Sequence, residues 1–270
     1  WGMSIDLDRC NGCGACMAAC AIENNVPQVG RDQVLMGREM HWIRLDRYFY
    51  GDIEEPVVTF QPVMCQHCNH APCEAVCPVY ATAHDPEGLN AMTYNRCVGT
   101  RYCANACPYK VRRFNWWTYK WGTMGERPQD RNPRPSNPDV TVRTAGVMEK
   151  CTMCVGRIRD GKHKAKLAGR QVVDGEIQTA CQQTCAANAI SFGNLNDPNS
   201  QITQDRSDQR SFLMLGGDPA HGHYGLKTLP NVNYLAQVTF DEPATGFGPD
   251  QSAYGHHGKE SHGEKKESHH

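Results

Sequence analysis

The placement of fifteen cysteines constrains this 270-residue chain more than any other feature. An odd number cannot all pair as disulfides, and the cysteines fall in tight groups instead of spreading as a disulfide framework would. The first group is Cys10, Cys13, Cys16 and Cys20, a Cys-x2-Cys-x2-Cys-x3-Cys run. The second, Cys65, Cys68, Cys73 and Cys77, ends on Pro78; the third, Cys97, Cys103 and Cys107, ends on Pro108 and lies nineteen residues further on. The fourth is Cys151 and Cys154 followed, after a 26-residue insertion, by Cys181 and Cys185.

Thiolates at these spacings wrap iron–sulfur clusters, with the last cysteine of each run crossing to a second cluster. A zinc staple is the competing reading. Zinc, however, takes two close ligand pairs separated by a loop, and four thiolates within eleven residues do not easily wrap one tetrahedron. Gly12 and Gly14 let the first run bend so that its amides face sulfide. Cys20 and Cys185 are followed by Ala21 and Ala186 where proline is usual, which leaves the ligands intact. The crossover rule predicts four sets: Cys10, Cys13, Cys16 with Cys185; Cys20 with Cys151, Cys154 and Cys181; Cys65, Cys68, Cys73 with Cys107; and Cys77 with Cys97 and Cys103. The last set is one thiolate short, because Thr100 stands where the spacing asks for cysteine. A cube without one corner ligand tends to lose one iron. The expected inventory is therefore three [4Fe–4S] clusters and one [3Fe–4S] cluster, stacked as a wire. His67 and His70 sit inside the second group, but its cysteines already suffice, so hydrogen bonding or packing is their expected role.

Composition agrees with an interior built partly of metal. Apolar residues make up only 39% of the chain, while Gly (25) and Pro (16) are plentiful. Lys and Arg total 28 against 29 Asp and Glu, so no global field points to nucleic acid or a membrane surface. Residues 108–170 nevertheless carry fifteen Lys or Arg against five Asp or Glu. Nucleic-acid binding is one reading of that excess; compensation of net-negative clusters and partner docking is the favoured one. No apolar run approaches the roughly 18–20 residues of a membrane span, so a soluble or peripheral chain is expected. No signal peptide is visible and residue 1 is Trp, which reads as a processed form or a piece of something longer.

The predicted fold is α+β: two nested bacterial-ferredoxin-like units with short strands and helices, long loops and an irregular C-terminal extension. Residues 3–8 read as an edge strand, 40–60 as a hairpin around Gly51-Asp52, and 91–94 as a short strand after the turn at 85–88. Residues 109–121 are basic and aromatic, suited either to packing over clusters or to docking. Residues 156–168 read as a basic helix, solvated or docking, 169–175 as a turn of strand, and 188–193 as a closing strand. A last strand is expected at 233–240. The corresponding units are 1–56 with 145–195 (outer), 57–121 (inner), an irregular loop at 122–144, an extension at 196–250 and a disordered tail at 251–270, whose histidines are poor candidates for a metal site.

The order of the groups, Cys-Gln-His-Cys-Asn-His-Ala-Pro-Cys at 65–73, Cys-Val-Gly-Thr-Arg-Tyr-Cys at 97–103 and Cys-Thr-Met-Cys-Val-Gly-Arg-Ile-Arg at 151–159 resemble the four-cluster electron-transfer subunits of the complex iron–sulfur molybdoenzyme superfamily. The likeness covers about residues 3–195, and 229–238 resembles that family's closing segment. Members resembling dimethyl sulfoxide and polysulfide reductases have cysteine at the position of Thr100, and nitrate reductases have tryptophan. Threonine is similar to the iron–sulfur part of alternative complex III, where the module follows a molybdopterin-type domain that has lost its cofactor. The resemblance implies a non-catalytic subunit, peripheral on the periplasmic face of the cytoplasmic membrane. It would take electrons from a quinol-oxidising membrane subunit, near the Cys77, Cys97 and Cys103 cluster, and pass them to c-type cytochromes. The alternatives are a relay for a molybdopterin reductase, such as a polysulfide or tetrathionate reductase, and a zinc-stapled scaffold.

Overall fold

A computed structural model describes residues 1–117, 136–218 and 223–238. Its elements are short, because each cysteine run must turn back after one or two helical turns. β1 (Gly2–Asp6) leads through the first cysteine group into α1 (Ala15–Glu23). α2 (Gly30–Leu35) follows, and then the expected hairpin of β2 (Arg44–Gly51) and β3 (Pro56–Val63). The second group runs through α3 (Pro72–Ala75), and the hairpin of β4 (Thr82–His84) and β5 (Asn90–Met92) links it to the third. α4 (Tyr102–Ala106) carries Cys103, and β6 (Arg113–Phe114) pairs with β7 (Met148–Glu149). The basic helix is α5 (Val155–Leu167), α6 (Ala180–Gln183) carries Cys181, and β8 (Ile190–Gly193) closes the repeat. The extension holds α7 (Gln201–Ser207), β9 (Ser211–Phe212), β10 (Gly217–Asp218), β11 (His223–Tyr224) and β12 (Val232–Leu235). The whole is a mixed α/β fold of tandem ferredoxin-like domains.

Three local expectations change. β1 is an interior strand, not an edge: the four-stranded sheet runs β8-β1-β12-β9, with β12 parallel to β1 and β8 antiparallel to it. A parallel neighbour arrives by a long crossover, here from the far end of the chain, so no local pattern announces it. Residues 169–175 form turns and no strand, held where Glu176 receives the Arg170 guanidinium at 2.7 and 2.8 Å. The extension supplies β9 and α7 as well as the strand expected at 233–240, which occupies Val232–Leu235. Within the expected irregular loop, residues 136–144 are described and lack helix and strand, and 122–135 lie outside the described residues, as does the tail at 251–270.

The returning chain fastens the cysteine loops before it enters the sheet. Asn69 and His70 donate their backbone N–H groups to Leu229 and Thr228, and Asn231 binds the His67 carbonyl at 2.9 Å. Tyr234, fully buried, then stacks on Phe212 and donates to the Pro62 carbonyl at 3.0 Å. One apolar core, including Met3, Ile5, Ile43, Met64 and Phe192, surrounds thiols of three cysteine groups plus Cys107 of the remaining one. A smaller cluster, Cys73, Cys103 and Met148, sits beside it.

The basic helix buries Ile158, Gly161 and Ala165, and several of its charges are answered within the chain. Arg157 meets Glu23 at 2.6 Å, Lys164 meets Asp160 at 2.7 Å, and Lys162 meets Glu87. A deeper pair fixes the loop before β7. Arg143 and Glu149 are buried and 2.7 Å apart, Trp42 Nε1 donates to the same carboxylate oxygen at 3.1 Å, and Arg143 also donates to the Asn24 and Asn25 carbonyls. Burial alone would lower the guanidinium pKa, and Glu149 more than restores it. Glu149→Ala strands that cation in the interior and is expected to cost about 3–5 kcal/mol. Thermal loss of the visible cluster absorbance at neutral pH measures it; a midpoint equal to that of the unaltered protein refutes the role.

Candidate metal centres

The four cysteine groups fold into four sets of thiols. Cys10, Cys13, Cys16 and Cys185 line one cavity together with Gly12, Gly14 and Pro62. Gly12 has φ 71°, and a Cβ there would stand 2.5 Å from the Phe60 ring, so only glycine lets the loop pass so close to β3. Burial pushes the Cys16 thiol up to about 11, with Cys10 as the next cause.

The second set is the most enclosed. Cys20, Cys151, Cys154 and Cys181 are all buried. Burial first, and then Cys151, Cys181 and Cys154, hold Cys20 far above the ordinary thiol range; burial pushes Cys181 up to about 12. Donors ring these sulfurs. Asn24 Nδ2 lies 3.6 Å from Cys20 Sγ and 3.9 Å from Cys154 Sγ, Met153 N donates to Cys151 Sγ at 3.3 Å, and the Thr179 hydroxyl is 3.2 Å from Cys181 Sγ.

Cys65, Cys68, Cys73 and Cys107, again all buried, line a second cavity with Asn90, Tyr109 and Arg112. Burial drives Cys68 up to about 12 and Cys73 up to about 11, in the latter against the pull of Arg112. The fourth set is Cys77, Cys97 and Cys103. Cys103 is raised by burial, with Arg112 opposing and Cys97 and Cys77 adding to the rise. Cys77 alone among the shifted thiols goes down: burial raises it, but the backbone N–H groups of Val79, Ala81 and Thr82, with Arg112, together outweigh that. Thr100 is exposed on the loop before α4 and faces a cleft of about 440 Å³ lined also by Arg38, Arg101, Arg112 and Trp116. Arg101 lies 4.8 Å over the Trp116 ring and Arg38 lies 5.0 Å over it. In the segment at 109–121, Tyr109, Val111 and Arg112 pack inward, as one of its two expected roles requires, while Trp116 and Trp117 are exposed; residues 118–121 lie outside the described residues.

Each set neighbours another. Cys16 acts on Cys181, Cys151 feels Cys65, and Arg112 reaches both Cys73 and Cys103. Crowded, buried thiols disfavour their own thiolate forms, and a bound cationic metal reverses that balance. Among the described residues no three His, Cys, Asp or Glu side chains converge on a point that one metal ion could fill. Buried Arg112 Nε also lacks a hydrogen-bond partner, leaving a donor for an inorganic sulfide. The residues present therefore fit clusters better than a single zinc ion.

His67 is not drawn into any set. Fully buried, it accepts from Asn90 N at Nδ1 (3.1 Å) and its Nε2 lies 3.1 Å from the Cys151 carbonyl, so that nitrogen carries the proton. Burial, then Lys150, keeps it well below the usual imidazole range. His70 is exposed. Sequence reasoning foresaw a positive excess but not the particular side chains: Arg112 in the run after Pro108, Lys150 beside Cys151, and the donors Asn24 and Asn90. Adjacency to a cysteine could have flagged Lys150; nothing in the pattern marks Asn90.

Two families described as 4Fe-4S dicluster domains match, over residues 56–127 and 5–81. The iron-sulfur cluster-binding subunit of menaquinone reductase from Nitratidesulfovibrio vulgaris is 39% identical over 88% of this chain and 89% of its own length. The Hdr-like menaquinol oxidoreductase iron-sulfur subunit 1 of Archaeoglobus fulgidus is 33% identical over 76% and 74%. A tetrathionate reductase subunit from Salmonella typhimurium is 30% identical over 87% and 72%. The metal is thus iron in iron–sulfur clusters, and the zinc staple falls away. No helix among the described residues is long and apolar enough to cross a membrane.

Gly99 tests the geometry of the fourth set. At φ 73°, a Cβ there would stand 2.5 Å from the Gly146 carbonyl oxygen. Gly99→Ala is expected to strain the Cys97 loop by about 1–3 kcal/mol. Iron analysis should then find one site depleted and the others full; iron equal to the unaltered protein's would show that the loop tolerates the methyl group.

Proposed function

Because the chain belongs to the family of iron–sulfur electron-transfer subunits of membrane-associated, molybdoenzyme-type reductase complexes, we propose that it is the relay of a quinol oxidoreductase resembling alternative complex III. In this reading it sits peripherally on the periplasmic face, receives electrons from a quinol-oxidising integral membrane subunit and delivers them to c-type haem subunits, with a molybdopterin-type domain preceding it. Three [4Fe–4S] clusters are assigned to Cys10, Cys13, Cys16 and Cys185, to Cys20, Cys151, Cys154 and Cys181, and to Cys65, Cys68, Cys73 and Cys107; Cys77, Cys97 and Cys103 are assigned a [3Fe–4S] cluster. The first two sets form the outer unit, drawn from residues 1–56 and 145–195, and the last two the inner unit, 57–121.

One observation carries the reading: the two middle sets are wholly buried, whereas the end sets come to the surface, at exposed Cys13 and at partly exposed Cys77 and Cys97. That is the arrangement of an insulated conductor with two contacts. When bound, each cluster supplies one-electron chemistry. The chain's own residues fix the thiolates, direct N–H groups at them and exclude water from the middle of the file. Threonine at position 100 leaves the end set one thiolate short, which favours three irons there and a higher potential, suited to a modest reductant such as a quinol. Two of the relatives above are named for menaquinone or menaquinol, which supports a quinone-linked partner. The name of the tetrathionate reductase relative supports a second reading, in which the same file feeds a molybdopterin reductase; recovery of molybdopterin with the complex would favour it.

Electron paramagnetic resonance of the oxidised protein is expected to give a near-isotropic three-iron signal, with interacting four-iron signals appearing on stepwise reduction. Thr100→Cys restores the missing corner and should abolish the oxidised signal while raising iron by one atom per chain. An unaltered protein that is silent when oxidised, with iron for four complete cubes, would sink the three-iron assignment.

A further inference from the structure

Arg112 follows the third cysteine group and runs into the interior, where it is 6% exposed. Its Nη1 donates to Cys73 Sγ at 3.2 Å and to Asn90 Oδ1 at 3.3 Å; its Nη2 donates to the Thr82 hydroxyl at 2.7 Å and approaches Met92 Sδ at 3.3 Å. Cys73 packs with Cys103 of the neighbouring set in one small cluster, and Cys103 also feels the guanidinium charge. These hydrogen-bond acceptors are an amide, a hydroxyl and two sulfurs. Burying a guanidinium costs several kcal/mol unless a negative charge answers it. Burial accordingly opposes its charged form, and the influences that favour it most are Cys73, Cys103, Cys65 and Cys107, drawn from two different sets. Two other buried cations are differently occupied: Lys150 Nζ donates to the carbonyls of Asn90 and Cys151, and Arg143 pairs with Glu149.

A cation placed against a thiolate-ligated cluster stabilises its reduced form, which carries one more negative charge, and so raises its reduction potential. Two adjacent clusters repel one another's added electron, and a shared cation offsets that repulsion for both. Arginine suits the position because its planar fork presents donors along two edges and keeps its charge when buried.

We propose that Arg112 is a shared positioning residue for the two inner sets, one guanidinium bonded to Cys73 where Cys73 packs with Cys103, and that it raises the potential of both clusters together. The electron passed between them comes from the neighbouring cluster and needs no proton, so the residue acts by charge alone. The inference rests on the cluster assignment proposed above.

The test is a redox titration followed by electron paramagnetic resonance on the assembled complex, comparing the unaltered protein with Arg112→Gln and Arg112→Lys, with iron counted in each. Arg112→Gln is expected to shift both inner clusters to lower potential by at least tenfold in the reduction equilibrium, about 59 mV for a one-electron couple, leaving the outer two in place. Arg112→Lys keeps the charge and should recover most of the shift. Should Arg112→Gln fail to hold iron, the nearly isosteric Asn90→Asp pairs the guanidinium with a carboxylate, and the three-thiolate cluster beside Cys103 should fall with its neighbour. Movement of one inner cluster only, or Arg112→Lys as low as Arg112→Gln with iron intact, overturns the inference. Absence of cluster signals from the unaltered protein would instead remove the assignment on which it rests.

Discussion

Buried negative charge is the constraint on which this structure depends. Ten of the fifteen thiols are buried, and burial pushes every shifted thiol up; only at Cys77 do backbone N–H groups and Arg112 outweigh it. Left as thiols they are a poor core; as thiolates they need positive charge that water cannot supply. Iron provides most of it, and the chain the rest, through backbone N–H groups on Cys77, Cys151 and Cys154, through Asn24 and Thr179, and through Arg112. This is why so small an apolar fraction suffices: the interior is held by metal–thiolate bonds where another chain of this length would use leucine and valine.

The same constraint explains the topology. A cluster drawn from two distant stretches of sequence makes those stretches neighbours, as Cys10 and Cys185 are. Once the cysteines have closed those loops, the sheet can accept a strand from the end of the chain. β12 enters beside β1 after residues 228–231 have been fastened over the loop that holds His67 and Cys68. The C-terminal segment thus ties the second cysteine group to the strand that leads into the first.

What the sequence made legible was what depends on covalent spacing. The cysteine groups, the glycine at 12, the 40–60 hairpin and the basic helix are short-range features whose chemistry is local. β1 as an interior strand and the helix α7 were not legible, because each depends on a partner far away in the chain. Asn90 is the sharpest example. It is an ordinary residue after a turn, yet its amide, its carbonyl and its side chain each meet a different buried group: His67, Lys150 and Arg112. No propensity encodes such a junction; only the packing of two cysteine groups against each other creates it.

The charges that invited a docking interpretation divide by location. On α5, Arg157, Lys162 and Lys164 are occupied by Glu23, Glu87 and Asp160, so much of that positive face is spent within the chain. Around Thr100 the arrangement is different: Arg38 and Arg101 lie on the ring of Trp116, beside a cleft lined by Thr100 and Arg112. Stacked guanidinium and indole groups lose little conformational entropy on being covered, because they already hold one another. A partner that accepts or donates electrons must approach an end of the file, since the middle sets are sealed. In the reading proposed above, the end at Thr100 combines three thiolates with a nearby open cleft and pre-ordered aromatic and cationic side chains, which suits an electron contact.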